Sequence, residues 1–176
     1  MKRTKLALSL SLALALAGLH GAKLQAEPSN MHPFGLGVEL DGGPWPAFVG
    51  DLALSGKYWV NTYEAVDMDL GGGNNGFFTG ADYLWHNFSV FKSWNVPLYY
   101  GVGAYTNVGD DHAVYGVGDT ADAADDWGAG IRGKLGVDWL IHTTPWEVYG
   151  EIAPSLHLIN GVGFGMGVDA GGRFYF

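Results

Sequence analysis

The feature that most constrains the fold is an alternation of apolar and polar side chains with a period of two residues. In residues 127–140 the odd positions carry mainly large apolar side chains, and the even positions carry charged groups among glycines. Residues 162–176 repeat the pattern. Successive side chains of a β-strand point to opposite faces, so this period predicts strands rather than helices. The charged positions are Arg132, Lys134 and Asp138 in the first segment, and Asp169 and Arg173 in the second.

The same alternation over the rest of the chain gives eight strands and therefore predicts an all-β fold. The predicted architecture is an eight-stranded antiparallel up-and-down transmembrane β-barrel. An even number of strands brings both chain ends to one rim. Connections at that rim are short, whereas the opposite rim carries the long acidic stretch Gly109 to Asp126. Outer-membrane barrels have short periplasmic turns and longer outer loops, so we expect periplasmic termini. The predicted strands are Phe34 to Leu40, Leu52 to Val60, Ala65 to Leu70, Phe77 to Phe88, Leu98 to Asn107, Trp127 to Ile141, Trp146 to Leu158 and Val162 to Phe176.

Three observations favour lipid contact for the apolar face, rather than the hidden interior of a soluble barrel. The polar face mixes glycine with large side chains, as a narrow barrel interior requires. Aromatic residues form two groups near the predicted rims, as in membrane-interface belts. The chain ends in an aromatic strand, in which Phe174 and Phe176 are the predicted assembly signal. The belts comprise Tyr58, Trp59, Trp85, Trp94, Trp139, Trp146 and Phe174 at one rim, and Trp45, Phe48, Phe77 and Trp127 at the other.

The start of the chain is typical of a cleavable secretory signal. MKRTK is followed by an apolar stretch from Leu6 to about Leu19 and by small or polar residues up to Ala26. We predict removal of residues 1–26, which leaves residues 27–176 as the barrel domain of a Gram-negative bacterial protein. Without the four basic residues of the signal, five remain against 18 acidic residues, a net charge of −13. A chain this acidic is a poor partner for nucleic acid.

Composition excludes several classes of site and protein. The chain contains no cysteine, which removes disulfides, thiolate metal sites and cysteine nucleophiles. After the signal, no apolar run reaches the roughly 18 residues that a membrane helix needs. The 29 glycines and 14% aromatic residues favour β-structure with close backbone approaches.

Several stretches are similar to the BAPKO-type outer-membrane β-barrels, a bacterial group without an assigned function. The resemblance implies an eight-stranded, OmpA-like small barrel and supplies no catalytic residues. It covers most of the mature chain, and the differences lie chiefly in Asp41 to Gly50 and Gly109 to Asp126. The matching stretches are LSGKYWVN (54–61), ADYLWHNF (81–88), VPLYYGVG (96–103), GVDWLI (136–141), EVYGEIAPSL (147–156) and the closing GGRFYF.

Twelve charged side chains fall on the predicted inner face. Opposite charges between the strands would hold a barrel closed, because a buried ion without a partner costs several kcal/mol. Eight of the twelve are acidic, which leaves open a narrow path for ions or protons, although eight strands enclose no open aqueous pore. The predicted lumen charge network is Glu39, Lys57, Asp67, Asp69, Asp82, Arg132, Lys134, Asp138, Glu147, Glu151, Asp169 and Arg173.

Three motifs offer alternative chemistry. Ser155, His157 and Glu151 share one face of a strand and suggest a lipid-modifying esterase, although side chains two residues apart on a strand stand about 6 to 7 Å apart. The acidic stretch 109–126 could bind Ca²⁺ or Mg²⁺, but it matches no EF-hand spacing. The motif GVGFGMG lacks the following helix that a phosphate site requires.

We therefore predict a non-enzymatic, monomeric outer-membrane protein with a structural or loop-mediated surface-binding role. It is expected to need no cofactor and no metal. Its partners would be outer-membrane lipid, lipopolysaccharide and the barrel-assembly machinery, with no nucleic acid. The alternatives are a narrow ion- or proton-conducting barrel and a lipid A-modifying enzyme.

Overall fold

The eight predicted strands are present, and they form a closed antiparallel β-barrel in which each strand pairs with its chain neighbour and the last pairs with the first. The computed structural model describes residues 32–42, 50–73, 76–91, 96–108, 127–141, 144–160 and 162–176. No helix in these ranges is long and apolar enough to cross a membrane. The strands are β1 (Phe34–Gly42), β2 (Gly50–Trp59), β3 (Glu64–Gly73), β4 (Gly76–Phe91), β5 (Val96–Val108), β6 (Trp127–Ile141), β7 (Trp146–Ile159) and β8 (Gly163–Tyr175).

The predicted fold class is confirmed, and the strand bounds agree to within three residues. One boundary matters for function. Asp41 was predicted to open a loop, but it lies within β1, opposite Asp51 on β2 and Asp169 on β8. An Asp followed by two glycines is typical of a turn, and pairing on both sides extends the strand regardless. The predicted signal segment 1–26 and the acidic stretch 109–126 lie outside the described residues.

Burial alternates along the strands with the period that the sequence predicts. On β6, Arg132 and Lys134 are buried, whereas Ile131 and Leu135 on the odd positions are 49% and 45% exposed. Charged groups therefore line the interior, and apolar side chains cover the outside. This distribution is the reverse of that in a soluble protein.

The barrel has two distinct ends. The terminal rim, at Phe34 and Phe176, holds both ends of the barrel sheet, and these two rings pack edge to face with centroids 5.5 Å apart. Connections at this rim span residues 60–63, 92–95 and 142–145. The opposite end, the loop rim, is where residues 43–49 and 109–126 connect strands.

A cluster of apolar side chains, the rim plug, fills the interior at the terminal rim. Trp59 belongs to it and is only 1% exposed, so its prediction as an outer-belt residue was wrong. It has the same parity on β2 as the inward-facing Lys57, and parity decides the face. The plug residues are Trp59, Ala65, Leu84, Tyr99, Leu140 and Tyr175.

Interior glycines allow close approach between the wall and the lumen side chains. A Cβ added to Gly103 would overlap the backbone oxygen of Ala81 and the carboxylate of Asp82. Gly133 faces outward, and a Cβ there would meet only ordinary contacts at 3.7 Å. These two glycines therefore form a matched pair of interior and exterior positions.

We expect Gly103→Ala to destabilise the folded barrel by about 1–3 kcal/mol, because overpacking must displace backbone or Asp82. Gly133→Ala should be neutral or slightly stabilising. Urea unfolding in detergent micelles, followed by tryptophan fluorescence, measures both. Equal effects of the two substitutions would contradict the assignment of inner and outer faces.

Candidate functional site in the barrel lumen

All twelve charged side chains of the predicted lumen network lie inside the barrel, and none is more than 4% exposed. They come from every strand except β5. Sequence reasoning missed four further buried polar side chains, Asp41, Ser55, His86 and Asn107. Asp41 was assigned to a loop, whereas the parity of Ser55 and His86 would have identified both as inward-facing.

Nearest the rim plug, Lys57 holds two carboxylates. Its Nζ lies 2.5 Å from Asp138 Oδ2 and 3.5 Å from Glu147 Oε1. His86 Nε2 is 3.0 Å from the same Asp138 oxygen. The Lys57 ammonium also lies 4.6 Å from the centre of the Trp59 ring, a cation–π arrangement that joins the charges to the plug.

Arg173 connects this group to the middle of the lumen. Its Nη1 donates to Glu147 at 2.7 Å, and its Nη2 donates to Asp67 at 2.6 Å. Its Nε donates to the Ser55 hydroxyl at 2.9 Å, and the guanidinium lies 3.8 Å from the centre of the Tyr149 ring. One side chain of the last strand thus contacts β2, β3 and β7 at once.

Arg132 and Lys134 hold the remaining central carboxylates. Arg132 Nε donates to Asp82 at 3.0 Å, and its Nη2 also bonds Asp69. Lys134 Nζ lies 2.9 Å from Asp67 and 2.6 Å from Glu151.

Shared carboxylates join all four bases into one network. Glu147 binds both Lys57 and Arg173, and Asp67 binds both Arg173 and Lys134. Lys134 also lies 3.5 Å from Asp82, the partner of Arg132. Such buried pairs add little net stability, but the loss of one partner leaves a charge without compensation. The network therefore crosses the lumen from Lys57, next to the rim plug, to Arg132.

The lumen is unbalanced in charge. Its buried residues in the described ranges include nine Asp or Glu and four Lys or Arg. The bases bind acids on β3, β4, β6 and β7, so the surplus falls mainly on residues of β1 and β8 towards the loop rim. These surplus acids are Glu39, Asp41 and Asp169.

Ser155, His157 and Glu151 do not form a Ser/His/acid relay. Glu151 and His157 are six residues apart on β7, which is about 20 Å along a strand. Glu151 instead binds Lys134 and accepts the Tyr99 hydroxyl, and His157 Nδ1 lies 3.1 Å from the Tyr105 hydroxyl. The GVGFGMG motif lies mostly within β8, and no helix follows it among the described residues.

Aromatic side chains cluster on the outer surface near the terminal rim. Trp146 and Phe174 pack edge to face at 5.2 Å, and Trp85 stacks on Tyr100 at 5.5 Å. Trp139 also faces outward and is 57% exposed. In the predicted belt at the loop rim, Phe77 is exposed and Trp127 is half-buried. The other two residues of that belt, Trp45 and Phe48, lie outside the described residues, and so does Trp94 of the first belt. Phe174 and Phe176 lie on the outer face, and their role as an assembly signal stays a prediction.

Two solved structures share this architecture. The N-terminal β-barrel domain of Pseudomonas aeruginosa OprF is 12% identical, with a TM-score of 0.55, over 84% of this chain and 100% of that domain. Neisserial surface protein A is 14% identical, with a TM-score of 0.54, over 84% of this chain and 100% of that chain. The fold is that of the eight-stranded outer-membrane β-barrels.

At these identities the likeness concerns the fold alone. No family model matches the chain, and no curated protein matches it. Membership of the BAPKO-type group therefore stays a prediction.

We expect Arg132→Met to destabilise the barrel by about 3–5 kcal/mol, because it leaves buried carboxylates short of a cation. Adding Asp82→Asn should recover part of this loss, with a coupling energy of about 0.5–3 kcal/mol in a double-mutant cycle. Asp138→Asn is the matched control, since Asp138 binds Lys57 and His86 rather than Arg132. Additive effects for Arg132 and Asp82 in urea unfolding would contradict the pairing.

Proposed function

We propose that residues 27–176 form an integral outer-membrane barrel of a Gram-negative bacterium, with a closed lumen and a structural or loop-mediated surface-binding role. The observation that carries the proposal is the reversed distribution of side chains. Large apolar side chains stay exposed around the wall, whereas the ionic groups are buried. A soluble monomer rarely exposes so extensive an apolar surface, and a lipid-facing barrel requires one.

The strand lengths support this setting. A tilted membrane-spanning strand needs about 9–11 residues. The shortest strand, β1, has 9 residues, and the longest, β4, has 16. Closure of the sheet also leaves no edge strand whose polar backbone groups would face hydrocarbon.

Topology follows from the two rims. Both ends of the barrel lie at the terminal rim with its short connections, so we place this rim in the periplasm and the 109–126 loop outside the cell. The same proposal includes three further steps. The 1–26 signal directs export, and the barrel-assembly machinery recognises Phe174 and Phe176 during membrane assembly. The folded barrel then contacts outer-membrane lipid and lipopolysaccharide. We propose a monomer that binds its ligands through the outer loops.

The ion pairs across the lumen and the rim plug support a role without conduction or catalysis. Four buried bases hold carboxylates across the lumen, and the rim plug fills its periplasmic end. A narrow ion or proton conductor is the second candidate. The surplus of buried acids over bases favours it.

We expect Leu135→Arg, near the middle of β6 on the outer face, to cost about 2–4 kcal/mol of folding free energy in lipid vesicles. The same change at Val162, at the loop rim and 76% exposed, should cost about 0–1 kcal/mol, because the side chain reaches water. Urea titration of folding into vesicles, read by tryptophan fluorescence and by heat-modifiable gel migration, measures both. If Leu135→Arg folded as well as Val162→Arg, the assigned lipid face would be wrong.

We expect the purified barrel to be silent in planar-bilayer recordings, because eight strands enclose no open aqueous pore and the ion pairs cross the lumen. Asp82→Asn should be silent too, since Arg132 and Lys134 still fill the space. Regular conductance steps in the unmodified barrel, altered in size or selectivity by Asp82→Asn, would favour the conducting candidate instead.

A further inference from the structure

A row of acidic side chains crosses the seam where the barrel closes. The strand register places Asp41 of β1 opposite Asp169 of β8, and Asp169 opposite Glu151 of β7. All three are buried inside the lumen. Side chains directly opposite each other have Cβ atoms about 4.5–5.5 Å apart, and like charges there destabilise a sheet. The seam therefore needs something that offsets this repulsion.

Glu39 extends the row, two residues further into the lumen on β1. Carboxylate oxygens of Glu39, Glu151 and Asp169 all lie within 4.8 Å of one another. Calcium binds oxygen at about 2.3–2.6 Å, so two ligands of one ion are at most about 5.2 Å apart. The three oxygens are thus close enough to share a single ion.

The neighbouring groups satisfy only part of this cluster. Lys134 binds Glu151, and the Tyr149 hydroxyl donates to Glu39 at 2.6 Å. Asp169 shares a side-chain hydrogen bond with Asp41, but its Oδ1 is fully buried and has no hydrogen-bond partner among the described residues. A buried carboxylate oxygen in this position is costly unless a positive group compensates it.

We propose that Glu39, Glu151 and Asp169 bind a hard divalent cation, with Ca²⁺ as the preferred ion and Asp41 beside it on the same row. A purely carboxylate set suits Ca²⁺ or Mg²⁺ rather than a transition metal. Ca²⁺ accepts flexible geometry, whereas Mg²⁺ requires a near-ideal octahedron and loses its water reluctantly. The ion would join β1, β8 and β7, and so would fasten the first strand to the last.

The test uses the full mature barrel, folded in detergent micelles and treated with chelator. Its apparent unfolding midpoint should rise with the logarithm of the Ca²⁺ concentration above the dissociation constant. Mg²⁺ should act more weakly, and NaCl of matched ionic strength should have no such effect. A midpoint that does not respond to Ca²⁺ overturns the proposal and leaves shared protons as the compensating charge.

Asp169→Asn keeps the shape of the side chain and removes one ligand charge. Its Ca²⁺ affinity should fall roughly tenfold or more, as for other losses in a metal site. Without Ca²⁺ it should be more stable than the unmodified barrel, because the repulsion is smaller. Asp169→Asn should therefore raise the stability of the barrel without Ca²⁺ and lower it, relative to the unmodified barrel, when Ca²⁺ is present. A carboxylate with only a structural role would change stability by the same amount in both conditions. Glu39→Gln provides the same test if Asp169→Asn does not fold.

Asp82→Asn is the matched control, since this equally buried acid is bound by Arg132. It should keep the full Ca²⁺ response. Terbium luminescence, excited through the nearby Tyr149, should report direct binding and be quenched by competing Ca²⁺. Unchanged Ca²⁺ binding in both Asp169→Asn and Glu39→Gln would place the ion elsewhere, for example in the 109–126 loop, and would overturn the proposal.

Discussion

Pairing of β1 with β8 closes the sheet, and this closure determines the rest of the structure. Once every strand has two neighbours, each side chain points either into a narrow lumen or away from it, with no third environment available. The interior must then be filled by whatever the inward parity supplies. In this barrel the inward-facing positions carry four long basic side chains, aromatic hydroxyls and many carboxylates. Glycines occupy the wall positions where these large side chains approach the backbone closely.

Burial of so many charges contributes to specificity more clearly than to stability. Ion pairs removed from water recover little of their desolvation free energy. The strand register depends on these charges, because a slip of one residue would turn Lys57 or Arg173 out of the lumen and bring outward-facing apolar side chains such as Leu54 or Phe174 in. Arg173 illustrates the effect, since it binds Ser55, Asp67 and Glu147 on three other strands. A misregistered sheet would lose all three bonds at once.

Most of the fold could be predicted from the sequence, because parity is a local property. The alternation, clearest on β6 and β8 and read over the rest of the mature chain, identified the strands, the inner face and the twelve buried charges. Pairing could not be predicted in the same way. Arg132 binds Asp69 and Asp82, which are 63 and 50 residues away, and only the register of the closed barrel brings them together.

The two errors have physical causes. Trp59 was assigned to the outer belt by residue type, although its parity with Lys57 already placed it inside. The first strand was predicted to end at Leu40, and pairing with β2 and β8 extends it through Asp41, although Asp and Gly favour turns. Asp41 is one of the acidic side chains that meet at the pairing of β1 with β8, so the full row of acids could not be predicted from the local sequence pattern.

The rim plug gives the lumen a polarity along its axis. Trp59 donates to the Tyr175 hydroxyl at 3.1 Å, and Tyr175 donates to Glu147, so the apolar plug is bonded to the charges above it. Within the described residues this obstruction is built from strand side chains, so blocking the terminal rim needs no connecting loop. Widening that end would require replacement of a strand residue such as Trp59 or Tyr175, whereas a change confined to a turn would leave the obstruction in place.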